Sequence, residues 1–152
     1  MLMLNNFSGF GVAPAAAGGT GYRYWKFTFS NGGDAEVEFA EVALMIGGTD
    51  QTGSGTASAT NTNGANPASN AFDNNTGTKW AGFPLDATLT YDFGSGNNFA
   101  ITTYSIQAIS AAGHYPRSWT LARSSDDATY TTVDTQTGQS FTSLETKTYT
   151  IP

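Results

Sequence analysis

Tyr22-Arg23-Tyr24-Trp25-Lys26-Phe27-Thr28-Phe29 alternates without a slip, with Arg23, Trp25, Phe27 and Phe29 on one side and Tyr22, Tyr24, Lys26 and Thr28 on the other. Successive side chains of a strand point to opposite faces, so this pattern reads as a strand with one buried face. Ser30-Asn31-Gly32-Gly33 follows as a turn. Beyond it Val37 and Phe39 keep the alternation, whereas Ala40, Val42, Leu44 and Ile46 are apolar one step out of phase. Slipping by one residue exchanges the two faces of a strand, so a bulge or break is predicted near Phe39–Glu41.

Working towards the N-terminus, residues 1–21 stand apart. Leu2, Leu4, Phe7, Phe10 and Val12 are scattered among Asn and Gly, and a Pro/Ala/Gly-rich stretch from Ala13 to Gly21 leads into the strand. This reads as an extended N-terminal arm over 1–21, with Leu2, Leu4, Phe7 and Phe10 docking on a partner. A frayed terminus is the other reading. Residues 22–152 form the domain proper.

Towards the C-terminus, Gly47 to Pro67 offers almost nothing to bury and reads as a long surface connection. Further strands are predicted at Ala87–Phe93, with Leu89, Tyr91 and Phe93 facing inward, and at Phe99–Ile109, His114–Arg123, Thr129–Val133 and Thr146–Ile151. The total is about eight strands. No stretch reads as a helix and no repeat is visible.

Composition agrees. In 152 residues, enough for one domain, Gly, Ser, Thr and Asn account for 65 positions and charged residues for only 12%. These are poor helix formers and leave little for solvated helix faces, so an all-β domain with an aromatic core is the expectation. Three Lys and three Arg in a chain of net charge −6 argue against nucleic acid or an anionic membrane as partner. No apolar run approaches the length of a membrane span. The chain has no Cys and one His, which removes disulfides, thiolate sites and multi-His metal sites. The N-terminus carries no basic region ahead of its short apolar stretch, so no secretory signal is read. Asp86 and Asp92 lie close in sequence without forming a two-carboxylate catalytic pattern, and no nucleophile signature accompanies His114. An enzyme is not expected.

Four motifs in a fixed order narrow the fold. Ala71-Phe72-Asp73-Asn74-Asn75-Thr76-Gly77-Thr78-Lys79-Trp80 precedes a strand ending Tyr91-Asp92-Phe93-Gly94. Tyr115-Pro116-Arg117-Ser118-Trp119-Thr120-Leu121 and Ser124-Ser125-Asp126-Asp127-Ala128-Thr129-Tyr130 follow. This order resembles the discoidin, or coagulation-factor type C, and galactose-binding-like module family, with Asn74 where that family has Gly. Tyr22–Phe29 followed by Glu38–Leu44 resembles the family's final strands moved to the start of the chain. The resemblance implies a circularly permuted jelly-roll β-sandwich, with Gly47–Asn63 joining the usual ends, as in structural proteins of tailed bacteriophages.

Asp73, Asn75 and Thr78 bring carboxylate, amide, carbonyl and hydroxyl oxygens to one tight loop, the donor chemistry calcium takes. The resemblance adds Glu41 as a further ligand, making Ca2+ the implied cofactor. The alternative is a loop that merely hydrogen-bonds to itself. Trp25, Trp80 and Trp119 are expected in the core rather than as sugar platforms. By the same resemblance a sugar site draws on Phe83, His114, Tyr115 and Arg117. Each also has a plainer reading: Phe83 capping the core, His114 in a solvated turn, Arg117 paired with a carboxylate. The implied function is that of a non-enzymatic virion structural protein, such as a capsid decoration, head-fibre or tail subunit. It would be made in the host cytoplasm, joined to other virion proteins and to copies of itself, and able to bind glycans. A stand-alone carbohydrate-binding module is the alternative.

Overall fold

The computed structural model describes residues 20–31, 36–84, 86–109 and 113–152. The expected arm residues Leu2, Leu4, Phe7 and Phe10 lie outside the described residues.

Among the described residues the chain is all-β, with eleven strands and one short 3-10 helix. The strands are β1 (Tyr24–Asn31), β2 (Val37–Phe39), β3 (Glu41–Ile46), β4 (Thr49–Asp50), β5 (Thr56–Ala59) and β6 (Trp80–Gly82). They continue with β7 (Thr88–Asp92), β8 (Thr103–Gln107), β9 (Ser118–Ser124), β10 (Thr131–Gln136) and β11 (Thr146–Thr150). Three sheets result, ordered β10-β9-β1-β7-β5, β11-β8-β3-β4 and β2-β6, with every pairing antiparallel.

The alternating stretch is the centre of the larger sheet. In β1, Phe27 pairs with Leu89 of β7 on one side and Leu121 of β9 on the other. Trp25, Phe27 and Phe29 are fully buried, as the alternation requires. The Phe27 ring lies 5.4 Å from that of Tyr104 in β8, and Trp119 of β9 lies 5.3 Å from Tyr149 of β11. The two larger sheets therefore face each other across one aromatic core. All three Trp side chains are in that core. At its floor the Trp119 Nε1–H donates to the Tyr104 hydroxyl at 2.9 Å, and that hydroxyl donates to Asp134 at 2.6 Å. Burial and the Asp134 carboxylate push the Tyr104 phenol well above its ordinary range.

The break predicted near Phe39–Glu41 falls at Ala40. Val37 to Phe39 pair with β6, whereas Glu41 to Met45 pair with β8, so the chain passes from one sheet to another at this residue. The Ala40 N–H donates to the Gln107 carbonyl at 2.8 Å and holds the crossing.

The expectation of about eight strands and no helix is exceeded among the described residues, because β4, β5, β6 and a 3-10 helix are too short to show a pattern of their own. Gly47–Pro67 is not one surface connection, because it contains β4 and β5, and β5 forms the edge of the five-stranded sheet against β7. Here the Tyr91 hydroxyl accepts from the N–H groups of Gly53 and Gly55, each at 2.8 Å, and pins the approach to β5. Ala68–Phe72 is a 3-10 helix that buries Ala68, Ala71 and Phe72. It is one short turn in which Ser69 and Asn70 interrupt the apolar residues, too brief to show a helical period.

Candidate functional site

The Asp73 loop lies between the 3-10 helix and β6. Asn74 takes φ of 57°, the left-handed region, which Asn tolerates better than most residues. The Asn75 N–H donates to Asp73 Oδ1 at 2.9 Å, and the Thr78 hydroxyl donates to Asp73 Oδ2 at 2.8 Å. Glu41, at the start of β3, enters from the neighbouring sheet: its Oε1 accepts from the Asn75 N–H at 2.8 Å. All four residues expected at a metal site are thus brought together, across strands far apart in sequence.

Two carboxyl groups face each other here. Burial pushes Glu41 up to about 7, aided by the Asp73 carboxyl and opposed by the Asn75 amide. Asp73 is shifted the other way: against some desolvation, the Thr78 hydroxyl, Glu41 and the Asn75 amide hold it below the usual carboxylate range. A carboxylate pair so arranged takes up either a proton or a cation. The donors are all hard oxygens, and among the described residues no group of three or more His, Cys, Asp or Glu converges. Oxygen donors of this kind are the ones calcium takes, although only two of the four residues are carboxylates. Part of the loop also satisfies itself, since the Thr78 N–H donates to the Asn75 carbonyl at 3.0 Å.

The residues expected at a sugar site divide. Phe83, just past β6, is 51% exposed and does not cap the core. Val37 pairs with Gly82 at the end of β2 and β6, and Phe83 is the next residue along the chain. On the other flank of β2 the Glu38 N–H donates to the His114 carbonyl at 2.8 Å. His114 Nδ1 lies 3.6 Å from Glu36 Oε2, and Asn63 Nδ2 donates to Glu36 Oε1 at 2.6 Å. Glu36, Asn63 and His114 therefore cluster, and the Asn63 N–H also donates to the Ala81 carbonyl of β6 at 2.8 Å, two residues before Phe83. Tyr115 instead packs against the core, its ring 5.9 Å from Phe141, and the Arg117 guanidinium lies 5.3 Å from the Tyr115 ring. Among the described residues Arg117 has no carboxylate within ion-pair distance.

Glu36 and Asn63 carry no signal in the sequence. Asn63 is one of several Asn in a polar run, and only the pairing of β2 with β6 brings it to Glu36. Asp92 is committed elsewhere, to a forked ion pair with Arg23 at 2.6 and 2.7 Å that also holds it below the usual carboxylate range. No helix among the described residues is long and apolar enough to cross a membrane. Comparison with protein families, with characterised proteins and with solved structures finds no match to this chain.

Proposed function

We propose that the chain is a non-enzymatic, glycan-binding structural module: a permuted, discoidin-like jelly roll serving as a capsid decoration, head-fibre or tail subunit of a tailed bacteriophage. The fold-level part of this reading rests on the order of the four sequence motifs. Its virion setting rests on the resemblance and on the apolar arm Leu2, Leu4, Phe7 and Phe10. The observation that carries the binding function is the exposed Phe83 ring just past β6, together with the contacts of Asn63 and His114 to Glu36 just ahead of β2. An aromatic face packs on the apolar side of a pyranose while a carboxylate, an amide and an imidazole bond its hydroxyls. In the same reading Glu41, Asp73, Asn75 and Thr78 hold a calcium ion that fixes the loop.

Probing a glycan array with the full chain tests the binding function. Hits on terminal galactose-like or bacterial surface sugars are expected, lost in Phe83→Ala and in His114→Ala while both variants melt as the parent does. A blank array from folded protein would overturn it. Electron microscopy of the purified chain, and of particles carrying it, tests the virion setting. Ordered assembly is expected, and a lone monomer absent from particles would count against it.

A further inference from the structure

Next to the Asn63 and His114 cluster, a concavity of about 450 Å³ opens between the Asp73 loop, the 3-10 helix and β2, and its Asn66 donates to the Asn63 carbonyl at 3.1 Å. Its lining includes Glu38, Asn66, Asn70, Thr78, Lys79 and Ile109. Glu38 is only 7% exposed, and its Oε2 accepts from the Lys79 ammonium. Among the described residues nothing donates to Glu38 Oε1, nor to the side-chain carbonyls of Asn66 and Asn70. The Asn70 amide is held in place by its N–H to the Lys79 carbonyl at 2.9 Å. An ammonium carries three N–H donors, so Lys79 keeps two beyond the one given to Glu38.

These acceptors are free to take a hydroxyl from an occupant of the cleft in place of water. The cleft therefore offers three acceptors and one positively charged donor around a small apolar patch at Ile109. Charge narrows the occupant. An anion meets Glu38, a cation meets Lys79, and the pair sums to zero, so neither gains a net attraction. A neutral molecule with neighbouring hydroxyls satisfies both at once, donating to Glu38 and the amide carbonyls and accepting from Lys79.

We infer that this cleft is a second, adjoining subsite for one neutral sugar ring, with Glu38 and Lys79 clamping adjacent hydroxyls and Ile109 lying under the ring. The inference rests on the reading of the chain as a glycan-binding module and adds a site that does not use Phe83 or His114.

The test is titration of the isotope-labelled full chain with galactose, glucose and mannose, followed by amide NMR, with glycine and phosphate as charged controls. At sugar concentrations well above a Kd of ~1 mM, shifts are expected at Asn66, Asn70, Thr78 and Lys79 with a hexose and not with the controls. Glu38→Gln should weaken the hexose about tenfold or more, as loss of a charged hydrogen bond does. Asn66→Ala, which leaves the ion pair intact, should weaken it in the same direction. Phe83→Ala should leave these shifts unchanged. Shifts confined to Phe83 and His114, or equal binding by phosphate or glycine, would overturn the cleft while sparing the Phe83 site. Silence at every amide with all three hexoses would overturn both.

Discussion

Glu41 and Asp73 show what one pair of side chains can set. Glu41 lies near 7 in the folded chain and near its ordinary value of 4.5 when unfolded. Between those values the folded state holds the proton more tightly, so the stability that Glu41 contributes is full below about pH 4.5 and is lost as pH rises through 7. In chelator, the melting temperature should therefore decline across that window, and Glu41→Gln should flatten the decline. Above pH 7, where Glu41 is charged, calcium should reverse the loss by about 2.7 kcal/mol at a hundredfold excess over Kd, and Asp73→Ala should abolish that response. Scanning calorimetry at several pH values reads both effects, and melting indifferent to pH, chelator and calcium would remove the site. The Asp73 loop was legible in the sequence because its turn chemistry is local: Asp73, Asn75 and Thr78 bond one another within six residues. Glu36, Asn63, Glu38 and Lys79 were not, because each acquires its partner only through the pairing of β2 with β6.

Among the elements, β1 and β7 announced themselves by alternation of large aromatic and polar side chains. β5 did not. Thr56-Ala57-Ser58-Ala59 is too small to show which face is buried, and it becomes a strand only because Tyr91 and β7 are there to receive it. At Gly55 an added Cβ would stand 2.3 Å from the Asp92 carbonyl and 2.6 Å from the Tyr91 ring, so the chain passes with no room for a side chain. Tyr91→Phe removes the one acceptor shared by two backbone N–H groups and should cost about 1–2 kcal/mol in urea denaturation. Amide exchange at Gly53 and Gly55 should quicken more than exchange in β9. Unchanged stability and exchange would mean that pairing with β7 alone holds β5.

For the whole molecule, the aromatic core gathers residues from Tyr22 onward, both larger sheets contributing. Deleting residues 1–20 should therefore shift the melting temperature by less than about 4 °C, the effect of ~1 kcal/mol in a domain of this size. Assembly, read by light scattering, should be lost with the arm. Unfolding of the shortened chain, or assembly that survives it, would contradict the division at residue 21. Composition made the all-β class plain, since so many Thr, Gly and Asn leave helices unsupported. Which strands adjoin which was not plain, because β1 takes both neighbours from the far half of the chain. That placement has a consequence in time. On the ribosome β1 emerges first, yet Trp25, Phe27 and Phe29 have nothing to pack between until β7 and then β9 are made. At ordinary synthesis rates the wait for β9 is roughly 5 to 20 s, during which the most aromatic strand of the chain stands open to chaperones and to other nascent copies.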